Sequence, residues 1–240
     1  HVYLGKALFI TYQIDSSQSH FTLALQGLDE KEKAESDASL YLSYIANREA
    51  YMQTPEQVTL SPISQVNTPG NESSSCLSLD GQTLFFTSSR KENTGSGKDE
   101  AFDMYFQDIW YATWDSSKKA WSEPALLPGD VNTPEHDASL GINPQGDLLF
   151  VYKSEQGGNI YYTRRKRTGE YRKPKPMEGQ VNTSYFESGA SMSADRKKLY
   201  IISEREKRSA QGGGDIWILK KESKYAYGEQ ENPGTPLNSL

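Results

Sequence analysis

The hydrophobic pattern changes period near residue 57. Before it, apolar residues recur at helical spacing: Leu4, Ala7 and Leu8, then Phe21, Ala24, Leu25 and Leu28. These predict two short helices. A third, Lys31 to Tyr51, opens at Asp29 or Glu30, carries Leu40, Tyr44 and Ile45 on one face and has Pro55 after its end. Beyond it the apolar residues gather into short strand-like runs, Leu84-Phe85-Phe86, Leu149-Phe150-Val151 and Leu199-Tyr200-Ile201. Val58 to Leu60 is expected to be an outer strand leading into the first of them. The chain therefore divides into a helical segment, 1–57, and a β segment, 58–240.

The β segment repeats. Val66 to Arg90 (VNTPGNESSSCLSLDGQTLFFTSSR), Val131 to Glu155 (VNTPEHDASLGINPQGDLLFVYKSE) and Val181 to Arg205 (VNTSYFESGASMSADRKKLYIISER) align without gaps. A spacer of varying length follows each block, then a second signature: DIWYA from Asp108, NIYYT from Asn159 and DIWIL from Asp215. An aromatic turn comes next, at Trp121, Tyr171 and Tyr227, and then the following VNT. The copies run near 66–130, 131–180 and 181–236, and a fourth opens at Leu237-Asn238-Ser239. Each copy predicts four strands. Strand A starts at Ser73 or its equivalents, Asp80-Gly81 and Gln145-Gly146 are two-residue hairpin turns, and the apolar runs are buried strand B. The Ile-aromatic pairs are strand C, and Pro124 to Leu127 opens an outer strand D, where proline is tolerated.

Four antiparallel strands repeated radially predict a mainly β chain, a β-propeller of four-stranded blades. Three full blades are visible. Rings of this kind close with about four to eight, so the expectation is part of a six-bladed ring whose other blades lie beyond Leu240. A chain that opens on His1 rather than Met fits a processed piece.

Composition sharpens this. Fifteen Tyr and 19 Gly favour many short strands over a helical bundle. A net charge of -6, with a pI near 5.2, argues against nucleic acid or an anionic membrane as partner. The single Cys76 excludes an internal disulfide framework and a cysteine-rich zinc site, and no apolar run is long enough to span a bilayer.

NESSSCLSLDGQTLFFTSSR and GGGDIWILK resemble the TolB-like (WD40-like) propeller repeats of Bacteroidetes envelope proteins. Departures fall at Cys76, throughout the second copy, and at Arg196, which replaces the turn glycine. The order of helical segment, connecting helix and VNTP-type propeller is similar to OmpA-family envelope proteins that carry tetratricopeptide repeats, a propeller and a peptidoglycan-binding module. That resemblance implies a tetratricopeptide-like tail at 1–57. It also implies a periplasmic, outer-membrane-associated, non-enzymatic scaffold that binds envelope or secretion proteins. Such a scaffold would sit in a type IX secretion assembly or one anchored to peptidoglycan through modules outside this chain. No cofactor or metal is expected.

Strand parity places the start of A, the end of B and the start of C on one rim. Glu72, Arg90 and Asp108 meet there in the first copy, and Glu187, Arg205 and Asp215 in the third. In the second they become Asp137, Glu155 and Asn159. Loss of the cation together with the strand-C acid predicts structural pairs Arg90–Asp108 and Arg205–Asp215, where a guanidinium suits a carboxylate.

The loop Lys91 to Gln107 (KENTGSGKDEAFDMYFQ) is the long outlier between B and C. Its Phe102, Asp103, Met104, Tyr105 and Phe106 are the expected partner-contact residues, because long loops on rigid scaffolds carry function and Met and aromatics favour contact surfaces. Its acids Asp99, Glu100 and Asp103 fit no calcium-loop template. Arg164-Arg165-Lys166-Arg167, with Arg172, Lys173 and Lys175, is a basic run on the C-to-D hairpin of the second copy. It is expected to be solvated or to meet an acidic partner or glycan.

No catalytic residue is assigned: His1, His20 and His136 are the only histidines and no nucleophile elbow accompanies them. The enzymatic alternative is a carbohydrate-binding or sialidase-like propeller. Ser78 to Leu84 resembles the aspartate-box turn of those proteins, with its glycine one residue early. Asn71-Glu72-Ser73 and Asn182-Thr183-Ser184 match glycosylation acceptors, a weak pattern on its own.

Overall fold

The computed structural model describes residues 1–34, 36–95, 97–154, 158–206, 208–211 and 213–238. The chain divides into two compact units, His1–Ser61 and Pro62–Leu240.

In the first unit α1 (Val2–Ile10) and α2 (Ile14–Ala24) are followed by α3 (Glu30–Ala34) and α4 (Asp37–Gln53). The single helix expected from Lys31 to Tyr51 is thus two. Ser36 takes an extended backbone and its side chain accepts the Ala38 amide, which starts a new helix there. Phe21, Ala38 and Ile45 form the core, with Tyr41 stacked on Phe21 at 4.9 Å. The buried stripe of α4 therefore runs through Ala38, Tyr41 and Ile45, at the spacing of one helix face. Tyr44, expected on that face, is exposed. Val58 and Leu60 are also exposed and form no strand, so the predicted outer strand at 58–60 is absent.

The second unit is mainly β and antiparallel. Blade one contains β1 (Glu72–Leu77) and β2 (Thr83–Ser88), a small hairpin of β3 (Lys98–Asp99) and β4 (Met104–Tyr105), then β5 (Asp108–Asp115), β6 (Ala120–Trp121) and β7 (Ala125–Leu126). Its sheet runs β1-β2-β5, with β6 and β7 both on β5. Blade two is β8 (Asp137–Ile142), β9 (Leu148–Lys153), β10 (Asn159–Arg164) and β11 (Lys175–Pro176), paired in that order. A short β12 (Glu178–Gly179) then precedes blade three: β13 (Glu187–Met192), β14 (Lys198–Ser203), β15 (Asp215–Lys221) and β16 (Ala226–Glu231). These four also pair in order, and β12 adds to β16 in parallel.

The A-to-B turns are longer than two residues. Ser78 N–H bonds to the Thr83 carbonyl and closes Leu79 to Gln82 into a loop, within which Gly81 N–H returns to the Ser78 carbonyl. Asn143 and Ser193 make the same pair of bonds in the later blades.

Alternation along each B strand, with successive side chains on opposite faces, explains the packing. Phe85 and Ile109 of blade one meet Leu149 and Val151 of blade two. Phe150, Ile160 and Tyr162, on the other face of blade two, meet Leu199, Ile201, Trp217 and Leu219 of blade three. Successive sheets therefore pack face to face in the manner of propeller blades.

The asparagine of each VNT fastens this stack. Asn132 accepts the Ile109 N–H and donates to the Ile109 carbonyl. Asn182 does the same to Ile160, and Asn238 to Ile216. Each side chain thus pins the C strand of the blade before it. Asn67 stands in the first VNT with no C strand ahead of it, and its side chain is exposed.

Candidate functional site

The rim where strand A begins and strand B ends is charged and buried, but its partners differ from those the sequence implied. Arg90 pairs with Glu72 at 3.2 Å, not with Asp108. Its Nε donates to Ser88 Oγ, its Nη2 to the Val66 carbonyl, and its guanidinium lies over Trp110 at 4.3 Å. Arg205 repeats the arrangement with Glu187, Ser203 and the Val181 carbonyl. It adds donations to the Gln180 carbonyl and Gln230. The reason is strand register: Glu72 lies opposite Ser88 and Glu187 opposite Ser203, two residues before each arginine. The arginine curls back over that serine onto the strand-A acid.

Asp108 and Asp215 serve the B-to-C loops instead. Asp108 Oδ2 accepts the Thr94 N–H at 2.6 Å, and Asp215 Oδ2 accepts the Gln211 N–H and the Asn232 amide. Asp108 Oδ1 is buried with no hydrogen bond among the described residues. Burial pushes the Asp108 carboxyl above its ordinary range, against the pull of the Thr94 donors. Glu72 moves the other way. Burial opposes its ionisation, but donors from Thr68, Ser88 and Arg90 outweigh it and hold the carboxyl low.

Blade two keeps its buried cation, in a different place. Glu155 lies outside the described residues, while Lys153 occupies the position of Ser88 and Ser203. Its Nζ reaches both Asp137 and the Val131 carbonyl. A shorter acid and a straight cation replace the Glu-Ser-Arg set. The lysine at a serine position of the repeat was the sequence signal for it. These are three versions of one device, each tying a VNT turn to its own blade. All three acids, Glu72, Asp137 and Glu187, also accept the N–H and hydroxyl of the VNT threonine.

The long loop of blade one is a built element. Asn93 is buried and holds its base: Nδ2 donates to the Ser88 and Phe106 carbonyls, and Oδ1 accepts the Trp110 indole N–H. Gly95 passes so close to blade two that a Cβ there would stand 2.5 Å from the Pro134 carbonyl oxygen. Phe106 packs edge-on against His136 at 4.8 Å. His136 Nδ1 accepts the Gln107 N–H, so its Nε2 carries the proton it gives to Asp99. That bond is the main reason the Asp99 carboxyl is held low.

Of the five residues expected to meet a partner, Phe106 is thus anchored onto blade two. Met104 and Tyr105 form half of the hairpin, Asp103 pairs with Lys98 at 3.0 Å, and Phe102 at the tip is 72% exposed. The hairpin and the Thr68–Asn71 turn enclose an open cleft of about 580 Å³, with Arg90 and Lys91 on its wall. Asn93 and His136 were missed as anchors, because each works through partners distant in sequence.

The basic run is partly neutralised. Arg164 lies 3.3 Å from Asp147, Lys166 pairs with Glu170, and Arg165 Nε donates to the Gly169 carbonyl. Among the described residues no group of acids, histidines and cysteine is placed to hold a metal. No helix among them is long and apolar enough to cross a membrane. Cys76 is partly buried, which pushes its thiol up to about 12.

No protein-family model and no curated protein matches the chain. Solved structures match part of the chain remotely. TolB from Acinetobacter baumannii is 15% identical over 69% of this chain, with a TM-score of 0.43. A periplasmic gluconolactonase from Pseudomonas aeruginosa is 10% identical over 68%, at 0.36. Trypanosoma rangeli sialidase in complex with the inhibitor DANA is 12% identical over 71%, at 0.38. The chain spans 33%, 57% and 29% of those proteins' lengths, respectively.

Proposed function

We propose that this chain is a non-enzymatic docking module that presents the blade-one hairpin to another protein. The observation that carries this reading is the hairpin itself. It is fixed at its base by Asn93 and against blade two by His136, while Phe102 stays exposed at its tip. A preorganised aromatic loses little conformational freedom on binding, and such side chains dominate the energetics of protein interfaces. Both ring nitrogens of His136 are engaged in holding the loop, which favours an architectural role for it over acid–base work.

On this reading the three blades are half of a six-bladed ring, and the clamp of Asn238 on Ile216 supports a fourth blade built like the others. The repeat signatures resemble those of OmpA-family envelope scaffolds, including the PorE-type subunit of type IX secretion. The proposed setting is accordingly the periplasm at the outer membrane, with envelope or secretion proteins as partners. A carbohydrate-binding or sialidase-like propeller is the rival reading.

The test is capture from a detergent-solubilised envelope extract, comparing the full chain with two variants. One is Phe102→Ser; the other replaces Lys98–Tyr105 by Gly-Ser-Gly. Removing Glu92 to Phe106 entirely would strip Asn93 and Thr94 from Trp110 and Asp108, so the shorter exchange is the cleaner probe. A partner recovered at fixed ratio and lost with both variants supports the reading. Undiminished capture, or release of sugar from envelope glycans, refutes it.

A further inference from the structure

The end of the sheets opposite the long loop holds a comparison that the repeat itself supplies. Between blades one and two lies a cavity of about 520 Å³, bounded by the A-to-B turns of both blades and the C-to-D turn of blade two. Its equivalent between blades two and three measures about 120 Å³. Aligning the repeats shows what fills the second. Arg196, Tyr225 and Met192 stand where Gly146, Gly169 and Ile142 stand in the first.

The filling is specific. Tyr225 stacks on Tyr162 with ring centroids 4.4 Å apart and planes 19° from parallel, and its hydroxyl accepts from Arg164. Arg196 Nε donates to Gln145, Nη2 donates to Asp147, and its backbone carbonyl accepts the Tyr227 hydroxyl.

The open cavity keeps the tyrosine of the receiving side and exchanges its acid and amide, because Gln82 stands where Asp147 does. Tyr111 takes the place of Tyr162 and Asp80 that of Gln145. Thr113 replaces Arg164 and offers a hydroxyl to a phenol. Tyr171, the counterpart of Tyr227, is 4% exposed, and its hydroxyl makes no hydrogen bond among the described residues. One Asp80 oxygen is committed to Ser78 and Gln82, and these donors keep the carboxyl low and ionised. Arg165 also lines the cavity, but it sits where Lys221 does, and Lys221 coexists with Arg196 in the filled site.

We propose that this cavity binds a partner polypeptide through a tyrosine flanked by arginine, the ring stacking on Tyr111 and the guanidinium meeting Asp80. The volume is within the range of ligand sites, and blade three shows that these two side chains are what the framework accepts. This contact lies at the other end of the blades from the Phe102 hairpin, so either surface can fail without the other.

The experiment is a ligand-observed NMR titration of the full chain with acetyl-Gly-Arg-Tyr-Gly-amide. The controls are its Glu-Tyr and Arg-Ala counterparts, and the plug variant is Gly146→Arg. That substitution copies repeat three: Gly146 has φ 70° and Arg196 φ 60°, and a Cβ on Gly146 meets nothing within 4 Å. Saturable binding of the Arg-Tyr peptide is expected, weaker by about tenfold or more for either control and lost in Gly146→Arg. Should that variant melt early, Tyr111→Leu removes the stacking face while keeping bulk and is expected to lose binding as well. No saturable signal, an equal response to the Glu-Tyr peptide, or binding that survives in a folded plug variant would overturn the proposal.

Discussion

Replacing Arg205 by Met tests the buried rim where its consequences are largest. Arg205 is 2% exposed and Glu187 fully buried, so neither charge has water to fall back on. The methionine keeps apolar bulk over Trp217, whose ring the guanidinium approaches at 5.9 Å, but removes every donor. Glu187 retains Thr183 and Ser203 as donors, yet loses the one cation that pairs with it among the described residues. The Gln180 and Val181 carbonyls lose a hydrogen bond each. Breaking a buried pair from one side costs about 3–5 kcal/mol. At ~2–4 °C per kcal/mol for a unit of this size, the melting temperature should fall by roughly 10 °C. Circular dichroism melts and urea titrations at pH 7 measure it, and an unchanged urea slope would locate the effect in stability rather than in the denatured state. Adding Glu187→Gln to Arg205→Met should recover part of the loss, because the stranded charge is then gone. A shift below ~2 °C, or a double variant no better than the single, would refute the account of Glu187 as a buried carboxylate dependent on its guanidinium.

Two further perturbations follow from the same repeat logic. Asp108→Asn installs the residue that blade two carries at that position and should hold or raise the melting temperature at pH 7, whereas an Arg90–Asp108 pair would make it destabilising. The sign is set by burial: the folded carboxyl titrates above its unfolded value, so native Asp108 lowers stability as pH rises from about 4 through its raised pKa. Melts between pH 4 and 7 should show that slope in the native chain and less of it in the variant. Asn182→Ala removes the clamp on Ile160 and one bond to the Met177 carbonyl and should cost about 2 kcal/mol by urea titration. Asn67→Ala, exposed and clamping no C strand, should cost nothing measurable.

The sequence by itself determined the three copies and the positions of their A, B and C strands. Those features are local: periodicity, turn chemistry and a repeated register need no knowledge of what lies opposite. It also singled out the hairpin loop, whose length and aromatic content depart from the other copies. The partner of Arg90 was decided by the tertiary structure, because Glu72 and Asp108 lie equally near in strand order. Only the curl of the side chain back over Ser88 chooses between them. Lys153 escaped for a related reason, since a lysine at a serine position does not reveal that it turns inward to the strand-A acid. The helix break at Ser36 came from a local cap overriding an apolar pattern. The interblade cavity belonged to the tertiary structure alone. Gly146 and Gly169 are ordinary turn residues in a sequence, and only packing shows that they leave empty the space that Arg196 and Tyr225 fill one blade later.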